Sequence, residues 1–137
     1  MTNELPDGLV ETMGPDTTVS EAVERLTAAI EAHEKLGLIA TVDHTAGAQK
    51  VGLDLAPTVE IFFGNPAVGT PLMLLARTVA IDLPQKILIT QAENGVQVLY
   101  NDPAYLASRH GIPPETPQLA VVSGALQNMA NVAAGTA

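Results

Sequence analysis

The sequence predicts a single α+β domain, in which a long helix precedes a set of strands and a second long helix ends the chain. A capping signal followed by an apolar stripe predicts the first helix, and a similar stripe predicts the last one. Between them, an Asn-Gly pair separates two segments rich in β-branched and aliphatic residues, which predicts a β-hairpin. A length of 137 residues fits one domain of this kind.

Composition excludes several classes of protein. Six Lys and Arg against 15 Asp and Glu give a formal net charge of −9, which argues against a nucleic-acid partner because phosphate binding needs clustered basic residues. The chain has no Cys, so it has no disulfides and no thiolate metal site. Three scattered His without metal-binding spacing predict no metal site, and the residues identify no cofactor.

The sequence also predicts a location. The segment Met1–Gly8 has no basic residue and no apolar run, and therefore lacks the pattern of a secretory signal. The most apolar run, Pro71–Ala76, is far shorter than the roughly 20 residues that span a bilayer. We therefore expect a cytoplasmic protein that does not contact a membrane.

The first helix is predicted over residues 18–35. Thr18 and Glu21 stand at the N-cap and N3 positions of a capping box. The helix is expected to end at Lys35, a cation at the negative end of the helix dipole, shortly before Gly37. A short strand, Leu9–Thr12, is expected before it.

The central part of the chain reads as strands. Leu38–Asp43 and Thr58–Phe63 are β-branched or aromatic runs, and Ala46–Leu53 between them is either a short helix or an irregular crossing. Neighbouring residues of a strand point to opposite faces of the sheet, so Phe62 and Phe63 cannot share one face. One of them must be covered by a helix or by a partner subunit, which supports dimerisation.

The hairpin is predicted between Lys86–Ala92 and Val96–Asn101. The turn Glu93–Gly95 contains Asn-Gly, and glycine readily adopts the positive φ that such tight turns need.

Three capping residues are each followed by proline, an order typical of helix starts. The pairs Asn65-Pro66 and Thr70-Pro71 predict one helix that begins at either proline, and Asp102-Pro103 predicts another. The latter is expected to end near Arg109-His110, with Gly111 as the residue that leaves the helix.

The chain changes character after Ile112. Residues 8–112 are assigned to the α+β domain, and residues 113–137 to a proline-containing linker followed by an amphipathic helix, Leu119–Ala134. The apolar stripe of this helix is expected to pack against its own chain or a partner.

Several motifs, in this order and spacing, resemble the bacterial domain-of-unknown-function family 302. They are Asp43-His44, Gly52-Leu53, Pro57-Thr58, Phe63-Gly64-Asn65-Pro66, Gly69-Thr70-Pro71-Leu72-Met73, Asp82-Leu83-Pro84, Tyr100-Asn101-Asp102-Pro103 and Arg109-His110-Gly111. The resemblance covers residues 8–112 and implies a curved antiparallel sheet with helices packed on one face. This is the TATA-binding-protein-like architecture of β-α-β4-α type, here with a C-terminal helix added. The resemblance further implies a homodimer and supplies no activity.

The most distinctive segment is Gly64–Thr70, read as a glycine-containing loop that leads into a helix. Amides at such a helix start could hold a carboxylate or phosphate, and Gly64, Asn65, Pro66, Gly69 and Thr70 are the predicted ligand-binding residues. In the structural alternative, Asn65 and Thr70 are caps and the glycines only permit the turn.

Three further residues complete the predicted ligand-binding set. His44 ends a strand and could act as a base or metal ligand with an acid from elsewhere, for which Asp82 is one choice. Thr58 begins the next strand. In the structural alternative His44 bonds to backbone and Asp82 bonds to turn amides, while His33 and His110 end helices.

Three hypotheses of function follow. The first is a non-catalytic homodimeric domain that binds a small molecule or anion at Gly64–Thr70, with His44 and Asp82 nearby. The second is an enzyme or metal site built on His44 and a carboxylate, whose catalytic residues remain unassigned. The third is a scaffold whose dimer and C-terminal helix bind another protein.

Overall fold

Five antiparallel strands form one open sheet in the computed structural model, which describes residues 4–137. The start of the segment used for the location argument, residues 1–3, lies outside this range. The strands are β1 (Leu9–Gly14), β2 (Gly37–Asp43), β3 (Thr58–Gly64), β4 (Gln85–Ala92) and β5 (Gly95–Asn101), in the spatial order β1-β5-β4-β3-β2.

Five α-helices and one 3-10 helix connect or follow the strands. They are α1 (Val19–Ala32), α2 (His44–Lys50), α3 (Pro66–Leu75), the 3-10 helix (Arg77–Asp82), α4 (Pro103–His110) and α5 (Pro117–Ala134). The predicted α+β class, with helices on one face of an antiparallel sheet and a C-terminal helix, is confirmed.

The core lies between the sheet and the long helices. Alternate strand residues such as Ile61, Ile87 and Val98 are fully buried on what we call the helix-covered face. The helices α1 and α5 pack against each other and against this face, where Leu26 and Leu126 fill the interior. The other face, which carries Glu60, Phe62, Leu88 and Leu99, is called the open face.

The capping box of α1 is confirmed. The Thr18 amide donates to Glu21 Oε1 at 3.0 Å, and the Glu21 amide donates to Thr18 Oγ1 at 3.1 Å. The helix ends at Ala32, three residues before the predicted Lys35, because His33 adopts extended backbone and donates its amide to Ile30.

The predicted hairpin is also confirmed, with Ala92 opposite Gly95. Gly95 has a φ of +131°, a region that favours glycine, and a Cβ there would lie 2.8 Å from Pro15 Cα. The turn therefore needs glycine for both its conformation and its close approach to the end of β1.

In the middle of the chain, one predicted segment shifts and one of two alternative helix starts is selected. The Asp43 side chain accepts from the Ala46 amide at 3.0 Å, so α2 starts at His44 and ends at Lys50 instead of covering Ala46–Leu53. Helix α3 begins at Pro66, and Pro71 lies inside it instead of starting a helix. The 3-10 helix that follows was not predicted.

The C-terminal helix begins at Pro117, two residues before the predicted start, and belongs to the main core. Leu126 is 1% and Met129 is 3% exposed, and Arg25 of α1 donates to two carbonyls of the last turn. The apolar stripe predicted for this helix thus packs on its own chain.

The two adjacent phenylalanines occupy opposite faces as expected. Phe63 is buried on the helix-covered face, whereas Phe62 is half-buried on the open face with Lys86 Nζ 5.7 Å from its ring centre. Helices thus cover Phe63, and coverage of Phe62 by a partner stays a prediction.

Candidate functional site

A groove of about 1300 Å³ opens between four parts of the fold. The end of α1, the start of β2, helix α3 and the middle of α5 form its walls, with Leu83 and Pro84 at one end. Phe63, Leu72 and Leu126, which are 3% exposed or less, join the wall of the groove to the hydrophobic core.

The groove is lined mainly by apolar and uncharged groups. Neither α3 nor α5 contains a charged side chain, although the whole chain has a net charge of −9. Charged lining side chains come from Glu34 and Lys35, next to His33 at the end of α1. The body of the groove therefore suits an apolar molecule, while its rim can interact with a polar group.

The five residues predicted at Gly64–Thr70 all line this groove. They do not form the predicted loop, because Gly64 ends β3, Asn65 is the N-cap and Pro66 already begins α3. Gly69 and Thr70 therefore lie within the helix. The sequence located this wall of the groove but assigned it the wrong local structure.

The first amides of α3 are already occupied by its own N-cap residue. The Ala67 amide donates to Asn65 Oδ1 at 3.1 Å, and the amides of Val68 and Gly69 both donate to the Asn65 carbonyl at 2.9 Å. Pro66 has no N–H group to donate. This helix start therefore offers no free first-turn donor to an anion, which favours the capping interpretation of Asn65.

His44 and Thr58 lie away from the groove. The Nε2 atom of His44, an exposed side chain, is 3.3 Å from Glu60 Oε1 on the open face. The Thr58 amide donates to Thr45 Oγ1 at 2.8 Å, and its hydroxyl bonds to that of Thr90 at 3.1 Å. These contacts fasten α2 to the edge of the sheet.

Asp82 belongs to a third location, where it joins the 3-10 helix to α4. Its carboxylate accepts from Arg109 Nη1 at 3.0 Å and lies 2.5 Å from His110 Nε2. The other ring nitrogen of His110 is 2.8 Å from Thr78 Oγ1, and the imidazole is only 6% exposed. Asp82 thus bonds neither the Asn65 segment nor His44, and His110 has the structural role expected at a helix end.

Over residues 4–137, no three His, Asp or Glu side chains are grouped so that they could hold a metal ion. His44 and Glu60 form an isolated pair. The acid next to His44 is therefore Glu60, and not the Asp82 suggested by the sequence.

The sequence did not identify the opposite wall of the groove. This wall comprises His33 and Lys35, the β2 residues Leu38 and Ile39, and the stretch 120–128 of α5. One signal was available, since residues 117–137 contain no charged side chain, which is unusual for a terminal helix with exposed positions. His33, expected at a helix end, is the C-cap of α1, and its Nδ1 accepts the Lys35 amide at 3.0 Å.

Comparison with solved structures supports the fold. The crystal structure of an uncharacterized conserved DUF302 protein from Bacillus stearothermophilus matches with a TM-score of 0.80 and 20% sequence identity, and covers 93% of this chain and 99% of that chain. At this identity the likeness concerns the fold alone.

Sequence comparison finds longer relatives. A fluoride-specific ion channel FluC 1 of Brucella suis is 39% identical over 127 residues, which is 90% of this chain and 49% of the relative; a FluC 1 of Brucella abortus matches equally, over 46% of its length. The chain thus spans about half the length of these curated relatives. Within residues 4–137, none of the helices has both the length and the apolar character that a membrane crossing requires.

The match to a family model extends further along the chain than the motifs in the sequence suggested. The model of the domain of unknown function DUF302 matches residues 11–134, which includes α5 as well as the segment that carries the resemblance. This chain is a member of the DUF302 family.

Proposed function

We propose that this chain is a non-catalytic binding domain for an apolar small molecule, which it holds in the groove between α3 and α5. The observation that carries the proposal is a groove of about 1300 Å³ whose two helical walls contain no charged side chain. Its wall also includes Asn65 and Gly69, from the segment that carries much of the family resemblance.

The chemistry of the walls favours an apolar ligand over an anion. An anion at the start of α3 would need free amides, and those of Ala67, Val68 and Gly69 donate within the chain. An apolar ligand instead gains free energy from each part of its surface that leaves water, and the lining supplies Leu36, Met73 and similar side chains for this purpose.

The size of the groove narrows the class of ligand. Small-molecule pockets usually measure roughly 300–1000 Å³, so about 1300 Å³ accommodates a long or multi-ring apolar body. At the rim, Lys35 and His33 suit a single polar end such as a carboxylate, with Glu34 as the one negative side chain that residues 4–137 contribute to the lining. We therefore infer a ligand of fatty-acid type, with its chain in the groove and its head at the rim.

The other hypotheses receive less support. An enzyme or metal site on His44 has only the exposed pair with Glu60. The channel name belongs to proteins about twice as long as this chain, and their activity is not part of the proposal. A scaffold function, the cytoplasmic location and the absence of a nucleic-acid partner stay predictions.

A fluorescence titration with cis-parinaric acid, a conjugated fatty acid, tests the proposal. Gly124 lines the groove, and a Cβ at this position meets nothing within 4 Å. Gly124→Phe therefore adds a ring at the groove wall without forcing the backbone. We expect saturable binding by the unmodified chain and at least a tenfold weaker affinity in the variant.

Gly47→Phe is the matched control, because Gly47 is also a helical glycine with no atom within 4 Å of its Cβ, and it lies outside the groove. The control should bind the probe as the unmodified chain does. Absence of binding by the unmodified chain, or equal affinities in the two phenylalanine variants, would refute the groove as the binding site.

A further inference from the structure

Strand β2 forms one edge of the sheet, and all seven of its residues are exposed. It pairs with β3 on one side only, so the backbone groups of its outer side have no strand partner within residues 4–137. Such an edge is a template for another strand, because its free N–H and C=O groups can continue the ladder.

The two edges of the sheet differ in how they are protected. Strand β1 has Glu11 in its middle and is followed directly by Pro15, features that commonly limit pairing at an edge. Strand β2 contains no proline, its only charged residue is Asp43 at the very end, and its ladder with β3 is irregular only between Leu38 and Ala40. Its middle carries Ile39, which is 61% exposed.

We propose that β2 pairs antiparallel with β2 of a second copy of this chain, so that two five-stranded sheets join into one of ten strands. The inference goes beyond the proposed function, because it identifies an interaction surface and its partner. It also assigns the homodimer to a sheet edge, whereas the phenylalanine argument from the sequence pointed to a sheet face.

Self-complementarity favours a second copy over an unrelated strand. In a two-fold arrangement centred on Ala40, the two Ala40 residues face each other, and the Gly37–Ile39 end of each strand lies opposite the Thr41–Asp43 end of the other copy. No charged residue then faces its own equivalent, although each chain has a net charge of −9. Lys35, just before β2, lies near Asp43 of the other copy at both ends of the interface, which gives two opposite-charge contacts.

The same pairing brings the second copy to the groove. Gly37, Leu38 and Ile39 belong both to the edge and to the groove wall. The end of the second copy's β2, with Asp43, would therefore lie beside the rim formed by His33 and Lys35.

Size-exclusion chromatography with light scattering tests the edge through a residue that faces itself. Ala40 is exposed and stands at the centre of the proposed pairing. Ala40→Lys and Ala40→Glu each place two like charges opposite each other, so both variants should shift from twice the chain mass of 14.2 kDa to the single mass. An equimolar mixture of the two should recover the double mass, because Lys then faces Glu.

The control variant is Glu11→Lys, which changes charge on the opposite edge strand and on the open face. It should keep the double mass. The proposal is overturned by a monomeric unmodified chain, by a dimeric Ala40→Lys variant, by a mixture that remains monomeric, or by loss of the dimer in Glu11→Lys. Thermal unfolding of each variant identifies one that fails to fold. The equimolar mixture then distinguishes charge repulsion from misfolding, since an unfolded chain cannot restore the dimer.

Discussion

Replacing Arg25 by methionine tests whether one side chain of α1 holds the end of α5 in place. The Nε atom of Arg25 donates to the Val132 carbonyl at 3.1 Å, and Nη2 donates to the Ala133 carbonyl and to Thr17 Oγ1, both at 2.7 Å. Carbonyls in the last turn of a helix lack the regular intrahelical donors. The Val132 carbonyl also accepts the Gly135 amide at 3.1 Å, and the guanidinium adds bonds to both carbonyls and neutralises the negative end of the dipole. Methionine keeps the length of the apolar stem and removes all three bonds.

The expected loss follows from these contacts. A hydrogen bond to a charged group contributes about 1.5–3 kcal/mol when its partner stays out of water, and the dipole contribution adds about 0.3–1 kcal/mol. The contacts of Arg25 are only partly buried, so water replaces part of what is lost. We therefore expect unfolding free energy to fall by about 3 kcal/mol, which is less than the roughly 5 kcal/mol that three fully buried bonds and the dipole would give at the least. This loss corresponds to roughly 10 °C in Tm for a domain of this size.

Circular dichroism at rising temperature measures this loss, with Arg25→Lys and Arg77→Met as comparisons. Lysine keeps the charge near the carbonyls but cannot reproduce the fork of donors, so we expect an intermediate Tm. Arg77 is an exposed arginine of the 3-10 helix, and its replacement should leave Tm almost unchanged. If Arg25→Met lowers Tm no more than Arg77→Met does, the hydrogen bonds of Arg25 contribute nothing to stability and the reasoning fails.

Two other predictions concern the sheet. Burial, together with the nearby charge of Asp102, raises the pKa of Tyr100 above 10.0, so the folded chain favours the protonated phenol and its stability should fall as pH rises above 10. The urea concentration at the unfolding midpoint should fall less steeply with pH in this range for Tyr100→Phe than for the unmodified chain. Equal slopes for the two proteins would contradict this prediction. A Cβ on Gly14 would lie 2.6 Å from the Ala134 carbonyl oxygen, so Gly14→Ala should force β1 from α5 and lower unfolding free energy in urea by about 1–3 kcal/mol. Gly124→Ala, in open space, should instead stabilise by up to about 1 kcal/mol, and a loss as large as that of Gly14→Ala would show that close approach is not the cause.

Sequence reasoning succeeded where the determining contacts are local. The capping box joins Thr18 to Glu21, three positions apart, and the hairpin depends on the turn that contains Gly95. Both are decided by a few neighbouring residues, so one sequence is enough to predict them. The boundaries of α3 were less clear because Pro66 and Pro71 both follow a capping residue, and only packing decides which one starts the helix.

The candidate site depended instead on contacts between distant residues. The acid beside His44 is Glu60, which the antiparallel pairing of β2 with β3 brings close, and the partner of Asp82 is His110, 28 residues away. Such contacts cannot be predicted from the individual residues until the register of the strands is known. Only one wall of the groove was predicted, because that wall carries recognisable motifs. The other wall comes largely from the C-terminal helix, which is distant in sequence.

The distribution of charge along the chain supports the groove as the binding site. With a net charge of −9, the chain nevertheless has no charged side chain over residues 61–76 and 117–137, which include α3 and α5. Apolar residues with exposed surface line both walls of the groove: Val68 and Met73 of α3 are half-buried, and Val121 of α5 is 56% exposed. Single exposed apolar residues need no explanation, but their occurrence on both walls of one groove does. Burying a ligand against these walls removes apolar surface from water and leaves no charge unpaired, which is the physical basis for placing the binding function of this domain between α3 and α5.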